Sequence, residues 1–417
     1  MVPEGWKRIP VSAIARVVRG SSPRPARDPR FFNGDYIPWI TVRDVTCNSE
    51  MYLRSTASFL TEEGAKRTRI IEPGTLLLTN SGATLGVPKI TLIRAGANDG
   101  IAALLDLRDV LREFLYYFFT SKTEYLRESV APGNGQPNLN TDLIGDLIVA
   151  LPPLTEQRRI VEVLSTWDRA IEQTEKLIAA KRRLKQGLMQ QLLTGRRRFR
   201  EFVRSTDQKR THYFSVPADW EVVHVEDVAS EVTERNGIGN NIPVLSCTKH
   251  DGLVESLKYF GRRVFSEDLS NYKIVRRGQF AYATNHIEEG SIGLLRDLEA
   301  GLISPMYTVF ETDSSIHAPY LYLLFKTELF RYIFEANTNG SVNRRGSLRW
   351  NQFKKIVIPV PQKSEQFRIA GVFDEIDKHV TELSQLADHL RAQKRGLMQK
   401  LLTGQVRVKV EERTGVS

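Results

Sequence analysis

A chain of 417 residues, 41% of them apolar, is long enough for two or three hydrophobic cores, so a soluble multidomain protein is expected. No apolar run approaches the roughly 18 residues of a membrane helix, and the opening MVPEGWKR lacks a secretory apolar region, so a cytoplasmic protein with no membrane partner is expected. The formal charge of +10 points to a polyanionic partner, and two cysteines, Cys47 and Cys247, with no ligand spacing exclude a disulfide framework and a zinc site.

In chain order, VPEGWKRIPVSAIARVV at Val2 opens a domain of short strands, followed by the basic, proline-stiffened loop SSPRPARDPR at Ser21. IPWITV at Ile37 reads as a strand and TNSGATLG at Thr79 as a glycine-rich turn. REFLYYFF at Arg112 is an amphipathic helix whose Tyr116, Tyr117, Phe118 and Phe119 suit core packing. GNGQPNLN at Gly133 then precedes a last strand at Leu147 to Leu151. After the prolines, Thr155 stands where an N-cap would, and apolar residues recur every three and four positions as far as Gly195.

The remainder repeats this plan. VPADWEVVHVEDVASEV, IPVLSC, RRGQFAYATNHIEEGSIG, APYLYLLF and NGSVNRRGSLRW follow in the same order, and Ser364 opens a second long periodic run that ends at Gly404. Sliding 156–195 onto 365–404 at a constant offset of 209 matches 17 of 40 residues without a gap, including QGLMQQLLTG against RGLMQKLLTG. Such a match is duplication. A heptad seam is expected through Ile160, Trp167, Leu177, Leu184 and Leu188 in the first run and Ile369, Ile376, Leu383, Leu390 and Leu397 in the second. Each run is about 60 Å long at 1.5 Å per residue, and a narrow apolar stripe of that length needs an equally long partner. The two helices are expected to pair antiparallel, because a parallel pair would stretch the roughly 20 residues after the first helix to nearly their full reach of about 3.3 Å each. Gly187 and Gly396 sit inside the helices at equivalent places, which suggests a close crossing or a bend.

The expected fold class is α+β: two α/β domains at 1–152 and 196–361, separated by two long antiparallel coiled-coil helices at 153–195 and 362–404, with a tail at 405–417 and a pseudo-two-fold internal repeat. The paired LPPLTEQRRI and EQFRI entries, the LMQxLLTG helix ends, and the tryptophan openings resemble the specificity subunit of type I restriction-modification systems, over essentially the whole chain. The resemblance implies that the two globules are target recognition domains, each reading one half of a split, asymmetric site on double-stranded DNA, and that the helices separate them. It implies that they also dock two methyltransferase subunits and, through them, a restriction and translocase subunit. S-adenosylmethionine, ATP and Mg would then belong to those partners, with no cofactor, metal or catalytic residue in this chain. The sequence agrees: it has no amino-methyltransferase Asn-Pro-Pro-Tyr, no Gly-x-Gly-x-x-Gly, no Gly-Lys and no Glu-x-Lys. The alternative is a stand-alone DNA-binding scaffold protein with a coiled-coil spacer, unconnected to restriction.

Base readout needs fixed donor and acceptor patterns, and phosphate contacts need cations or backbone amides. Three kinds of loop offer these. The basic loop contributes Ser22, Arg24, Arg27 and Arg30. The glycine-rich turns contribute Asn80, Ser81 and Thr84 in the first half and Asn285, His286 and Ser291 in the second. The segments ahead of the last strands contribute Asn134, Gln136 and Asn138, then Asn339, Ser341, Asn343, Arg344, Arg345 and Arg349. GRRRFR at Gly195 could meet phosphate or offset the carbonyls at the helix end.

Overall fold

The computed structural model describes residues 2–82, 84–130, 139–237, 242–338 and 347–409. By its contacts the chain forms two compact units, residues 1–175 with 385–417, and residues 176–384.

In the first unit, strands Arg16–Arg19, Ile101–Leu105, Leu76–Thr79, Pro88–Thr91 and Tyr52–Leu53 form one sheet in that order. Ser58–Leu60, Phe32–Ile40, Ala95–Ala97 and Arg69–Ile71 form another. The run LLLT at Leu76 is buried throughout because both its faces are covered, and the two-residue strand period divides it. Leu76 and Leu78, with Ala102 and Leu104, join the core that contains helix Arg112–Tyr125. Leu77, with Ile101 and Ala103, joins Ile40 and Ala97 on the other side. Tyr116 to Phe119 are all buried, as their placement on an amphipathic helix predicts. Lys7–Pro10 pairs antiparallel with Ile148–Leu151, so the start of the domain is tied to its last strand.

The second unit repeats this with changes. Ala229–Val232, Tyr307–Thr312, Phe280–Ala283 and Ile292–Leu294 form a four-stranded sheet, and Glu221–His224 pairs with Val357–Val360 as the closing pair. Two helices, Ala318–Phe325 and Glu328–Asn337, stand where the first unit has one.

The long helices run Leu154–Leu192 and Lys363–Thr403. They begin just before the predicted caps, so Thr155 and Ser364 lie inside the first turn. The carbonyl of Pro153 accepts from Glu156 and Gln157, and that of Gln362 from Glu365 and Gln366, so the capping position in each helix is two residues earlier. Both helices end as their glycines predict. Gly195 and Gly404 take φ of +68° and +74°, and the Arg197 and Val406 amides reach back to Gln191 and Lys400. A Cβ at Gly404 would lie 2.3 Å from Pro3, and one at Gly195 2.4 Å from Pro217, so the duplicated glycine also lets each helix end close on the start of a domain. Gly187 and Gly396 have open space around them, which removes close crossing as their reason.

The seam differs from expectation in its middle. Leu177 and Leu184 are 53% and 50% exposed, because they lie three residues out of the heptad row set by Ile160 and Trp167; Thr174 and Lys181 occupy that row instead. In the second helix Ile369 and Ile376 are buried and Leu383, Leu390 and Leu397 are half-buried. That row admits Lys181, which meets His379 at 3.4 Å, and the neighbouring stripe carries Lys185 and its counterpart Lys394, each held by an acid. In the first unit Lys394 bonds Asp168 and Arg391 bonds Glu175; in the second Lys185 bonds Asp377 at 2.6 Å. Residue numbers rise on one helix as they fall on the other, so within each unit the paired segments run antiparallel. The offset of 209 relates Asp168 to Asp377 and Lys185 to Lys394, so a parallel in-register pairing would set like charges face to face.

Each helix start is clasped in the same way. Trp6 Nε1 donates to Glu156 at 3.0 Å and Arg407 to the same carboxylate at 2.9 Å; Trp220 donates to Glu365 at 3.2 Å and Arg198 at 2.7 Å. The second clasp is the drier one, with the Arg198 side chain 6% exposed against 49% for Arg407. Glu365→Ala should therefore cost roughly 3 kcal/mol in urea unfolding, because it leaves a buried guanidinium with Asp219 as its one remaining carboxylate and a single carbonyl, that of Phe202. Glu156→Ala should cost about 1–2 kcal/mol, since water can reach Arg407.

Candidate nucleic-acid interface

Three loops of the first unit converge beyond one end of the five-stranded sheet. The chain leaving strand Arg16–Arg19 is held by the Gly20 amide on Ile101 and the Ser21 amide on Ala97. A Cβ at Gly20 would lie 2.2 Å from the Asn98 carbonyl, so only glycine permits this approach. Ser22 Oγ then donates to Asp99 at 2.7 Å and accepts from Asn98 Nδ2 at 3.2 Å. From the glycine-rich turn, the Asn80 amide donates to Gly100 at 2.9 Å, and a Cβ at Gly100 would sit 3.0 Å from Ser81 Oγ. The Asn80 carbonyl accepts from Leu139 at 2.7 Å, which brings in the end of the third predicted loop. Ser22, Ser81 and the Asn98–Asp99–Gly100 turn are thus neighbours, although distant in sequence.

The candidates are not equivalent in this cluster. Asn80 is 2% exposed, and its Oδ1 has no hydrogen-bond partner, so the prediction of Asn80 as a surface contact is corrected: its backbone pins the turn and its side chain faces inward. Thr84 is half-buried and acts through its carbonyl, which accepts from Thr79 Oγ1. Arg30 forms a two-pronged pair with Asp28, whose carboxyl that hydrogen bond holds below the usual carboxylate range. Arg24 reaches Asp99 at 3.2 Å. Arg27 is exposed in a left-handed conformation with φ of +65°, and no acid partners it among the described residues. Asn134, Gln136 and Asn138 lie outside the described residues, as do Asn339, Ser341, Asn343, Arg344 and Arg345.

The second unit builds its cluster from equivalent places with different side chains. Thr284 Oγ1 donates to the Met306 carbonyl at 3.2 Å and to Asn285 Oδ1 at 3.3 Å, and the Leu348 amide donates to the Thr284 carbonyl at 2.8 Å. Leu348 is the counterpart of Leu139 at the same offset of 209. Met306 is 66% exposed, an apolar tip where the first unit presents Asp99. His286 is exposed beside Glu289 at 3.5 Å, and the donor atoms of His286, Glu288 and Glu289 lie within 4.8 Å of one another. Ser291 is buried at 9% exposure, which corrects its prediction as a surface contact: its amide bonds the His286 carbonyl and closes the turn. Arg349 is exposed at the start of the short helix Trp350–Phe353.

Sequence reasoning missed the Asn98–Asp99–Gly100 and Ser304–Pro305–Met306 turns. The first carries a signal that could have been used, an Asn-Asp-Gly between two apolar runs. Arg27→Ala should weaken DNA binding by the assembled complex while leaving thermal unfolding within about 0.5 kcal/mol, whereas Arg30→Ala, already satisfied by Asp28, should change binding less. Competition binding at several salt concentrations separates the two.

The family model for the type I restriction modification DNA specificity domain matches residues 3–181 and again 217–388. The chain is 25% identical to the type I restriction enzyme MjaVIII specificity subunit of Methanocaldococcus jannaschii, across 98% of this chain and 94% of that one. It is 24% identical to the EcoR124I/EcoR124II specificity subunit of Escherichia coli over 39% of this chain and 40% of that protein. Among solved structures, a chain from work on complex assembly and conformational transition of the type I R-M system matches with TM-score 0.60 at 16% identity, covering 97% of this chain and all of that one. The S subunit from M. genitalium matches with TM-score 0.54 at 14% identity over 96% of each chain. At such identities the structures bear on the fold alone.

Proposed function

The chain belongs to the type I restriction modification DNA specificity family, and on that premise we propose how its two halves divide the work. Its role is DNA sequence recognition in a type I restriction-modification system, as the non-catalytic subunit of a complex with methyltransferase and restriction subunits. Within that role, residues 1–152 read one half of a split site and residues 196–361 the other, with the helices at 153–195 and 362–404 between them and a tail at 405–417. The first cluster reads bases through Ser22, Ser81 and the Asn98–Gly100 turn, and the second through Asn285, His286 and the Met306 tip, with the arginines of both halves on phosphate.

Two methyltransferase subunits dock along the paired helices. S-adenosylmethionine, ATP and Mg act in the partner subunits, and the assembly works in the cytoplasm. Among the described residues no helix is long and apolar enough to cross a membrane.

The observation that carries the division is the double match to one specificity domain on two scaffolds whose loop clusters differ in chemistry: Ser22 and Asp99 in one, His286 and Met306 in the other. Unlike loops on like scaffolds recognise unlike sequences, so the two half-sites differ. The stand-alone scaffold reading has no such support. Exchanging residues 1–152 for the corresponding domain of a relative, in cells that also make the partner subunits, should change one half of the methylated sequence and keep the other. Methylome sequencing reads both halves at once, and a change in both would remove the assignment of one domain to one half-site.

A further inference from the structure

The connection that follows the first long helix, residues 196–217, is a folded basic element outside the two loop clusters. Its arginines do not cap the helix. The helix-end carbonyls are met by the Gly195 and Arg197 amides and by Thr194 Oγ1, and Arg198 turns away to Glu365, Asp219 and the Phe202 carbonyl. Anchored by Arg198, the chain makes a turn of 3-10 helix at Arg200–Phe202 and then a hairpin, Gln208–Arg210 against Ser215–Pro217. The hairpin turn is closed by Thr211 on Phe214, and the Ala218 amide bonds Asp207 at its base. This frame carries Arg196, Arg197, Arg200, Arg204, Lys209 and Arg210, and none of the six meets a carboxylate among the described residues.

Its position supplies a second, independent argument. Helix Glu328–Asn337 lies between this hairpin and the second loop cluster. On the hairpin side, Phe330 is 6.3 Å from Phe214 and Tyr332 is 6.4 Å from Tyr213, ring centre to ring centre. Toward the loop cluster, Arg331 Nε donates to the Glu288 carbonyl at 3.1 Å. The exposed glutamate of that turn, Glu289, repels phosphate, so backbone attraction for this half has to come from beside the turn.

We propose that the 196–217 hairpin is a phosphate-binding element that grips the backbone of double-stranded DNA beside the half-site read by the second domain, without reading bases. The proposal rests on the assignment of that domain to DNA. Cations held on a frame lose less conformational freedom on binding than a free tether would, and their contacts add affinity that is the same for every sequence and falls with salt.

The test uses the complete complex with its partner subunits and a variant carrying R196Q, R197Q, R200Q, K209Q and R210Q. Fluorescence anisotropy is measured on a duplex with the methylated site and on an unrelated duplex, across a salt series. The expected result is a loss of about tenfold or more at roughly 0.15 M salt on both duplexes, with the slope of log affinity against log salt shallower by about 0.9 for each phosphate contact removed. The methylated sequence stays the same. A companion variant with lysine at the four arginine positions, 196, 197, 200 and 210, should keep the wild-type slope, which separates lost charge from a lost fold. Unchanged affinity and slope in a folded, assembled complex would overturn the proposal. So would failure to recruit the methyltransferase subunit with normal DNA binding by whatever complex forms, since the hairpin would then face an acidic protein surface. A changed methylated sequence would overturn it too, because the hairpin would be reading bases. Failure of the wild-type complex to prefer its site would count against the recognition domains, and the unrelated duplex still reports on the hairpin.

Discussion

The structure depends on the burial of a duplicated seam. A helix of about 40 residues whose apolar positions form a narrow stripe gains little from propensity alone, and its stability comes from laying that stripe against another. Both long helices here are such elements, and each end of the seam runs into the core of a recognition domain: Ile160, Leu164 and Leu401 in one unit, Leu192, Ile369 and Phe373 in the other. Domain and helix therefore fold as one unit. The seam is apolar at its ends and charged toward its middle, where lysines stand beside the core row and are tied by aspartates. Half-exposed pairs of this kind add little net stability, but they penalise the alternatives, since the internal repeat would otherwise allow like to pair with like.

The clasp at each helix start shows how duplication has been kept where geometry demands it. A tryptophan, a glutamate and an arginine meet in both units, drawn from the start of a domain, the first turn of one helix and the segment beyond the end of the other. The loops above escape that demand. They share backbone anchors, the Leu139 and Leu348 amides among them, and differ in the side chains they offer. A scaffold held by backbone bonds and a repeated clasp can carry loops of varied chemistry, which suits a protein whose role is DNA sequence recognition.

Much of this was legible beforehand. The repeat, the two helices with their glycine ends, and the buried aromatics of REFLYYFF all follow from periodicity and composition, because helix period and turn chemistry are local properties. The site was less legible. Ser22, Ser81 and Asn98 lie far apart along the chain, and only the sheet order that sets strand Arg16–Arg19 beside Ile101–Leu105, and that beside Leu76–Thr79, brings their loops together. Asn80 and Ser291 look like surface contacts in a sequence and are buried, since a polar residue beside a glycine can serve either the turn or a ligand. In the same way Leu177 and Leu184 fit an apolar period, yet the heptad row passes through Thr174 and Lys181 three residues away. Hydrophobicity alone does not tell which of two adjacent stripes is buried when the covered one carries Thr174 and Lys181, whose polar ends meet the Ala170 carbonyl and His379.

By itself, then, the sequence determined the duplication, the fold class and the family, because these are carried by local pattern and by residues matched at a fixed offset. The tertiary structure decided which stripe of each helix is covered, which polar loop residues face outward, and that the basic connection beyond Gly195 is a framed hairpin beside a loop cluster. Those outcomes turn on contacts between residues distant in sequence, whose energies depend on position in space and on the water left around each group.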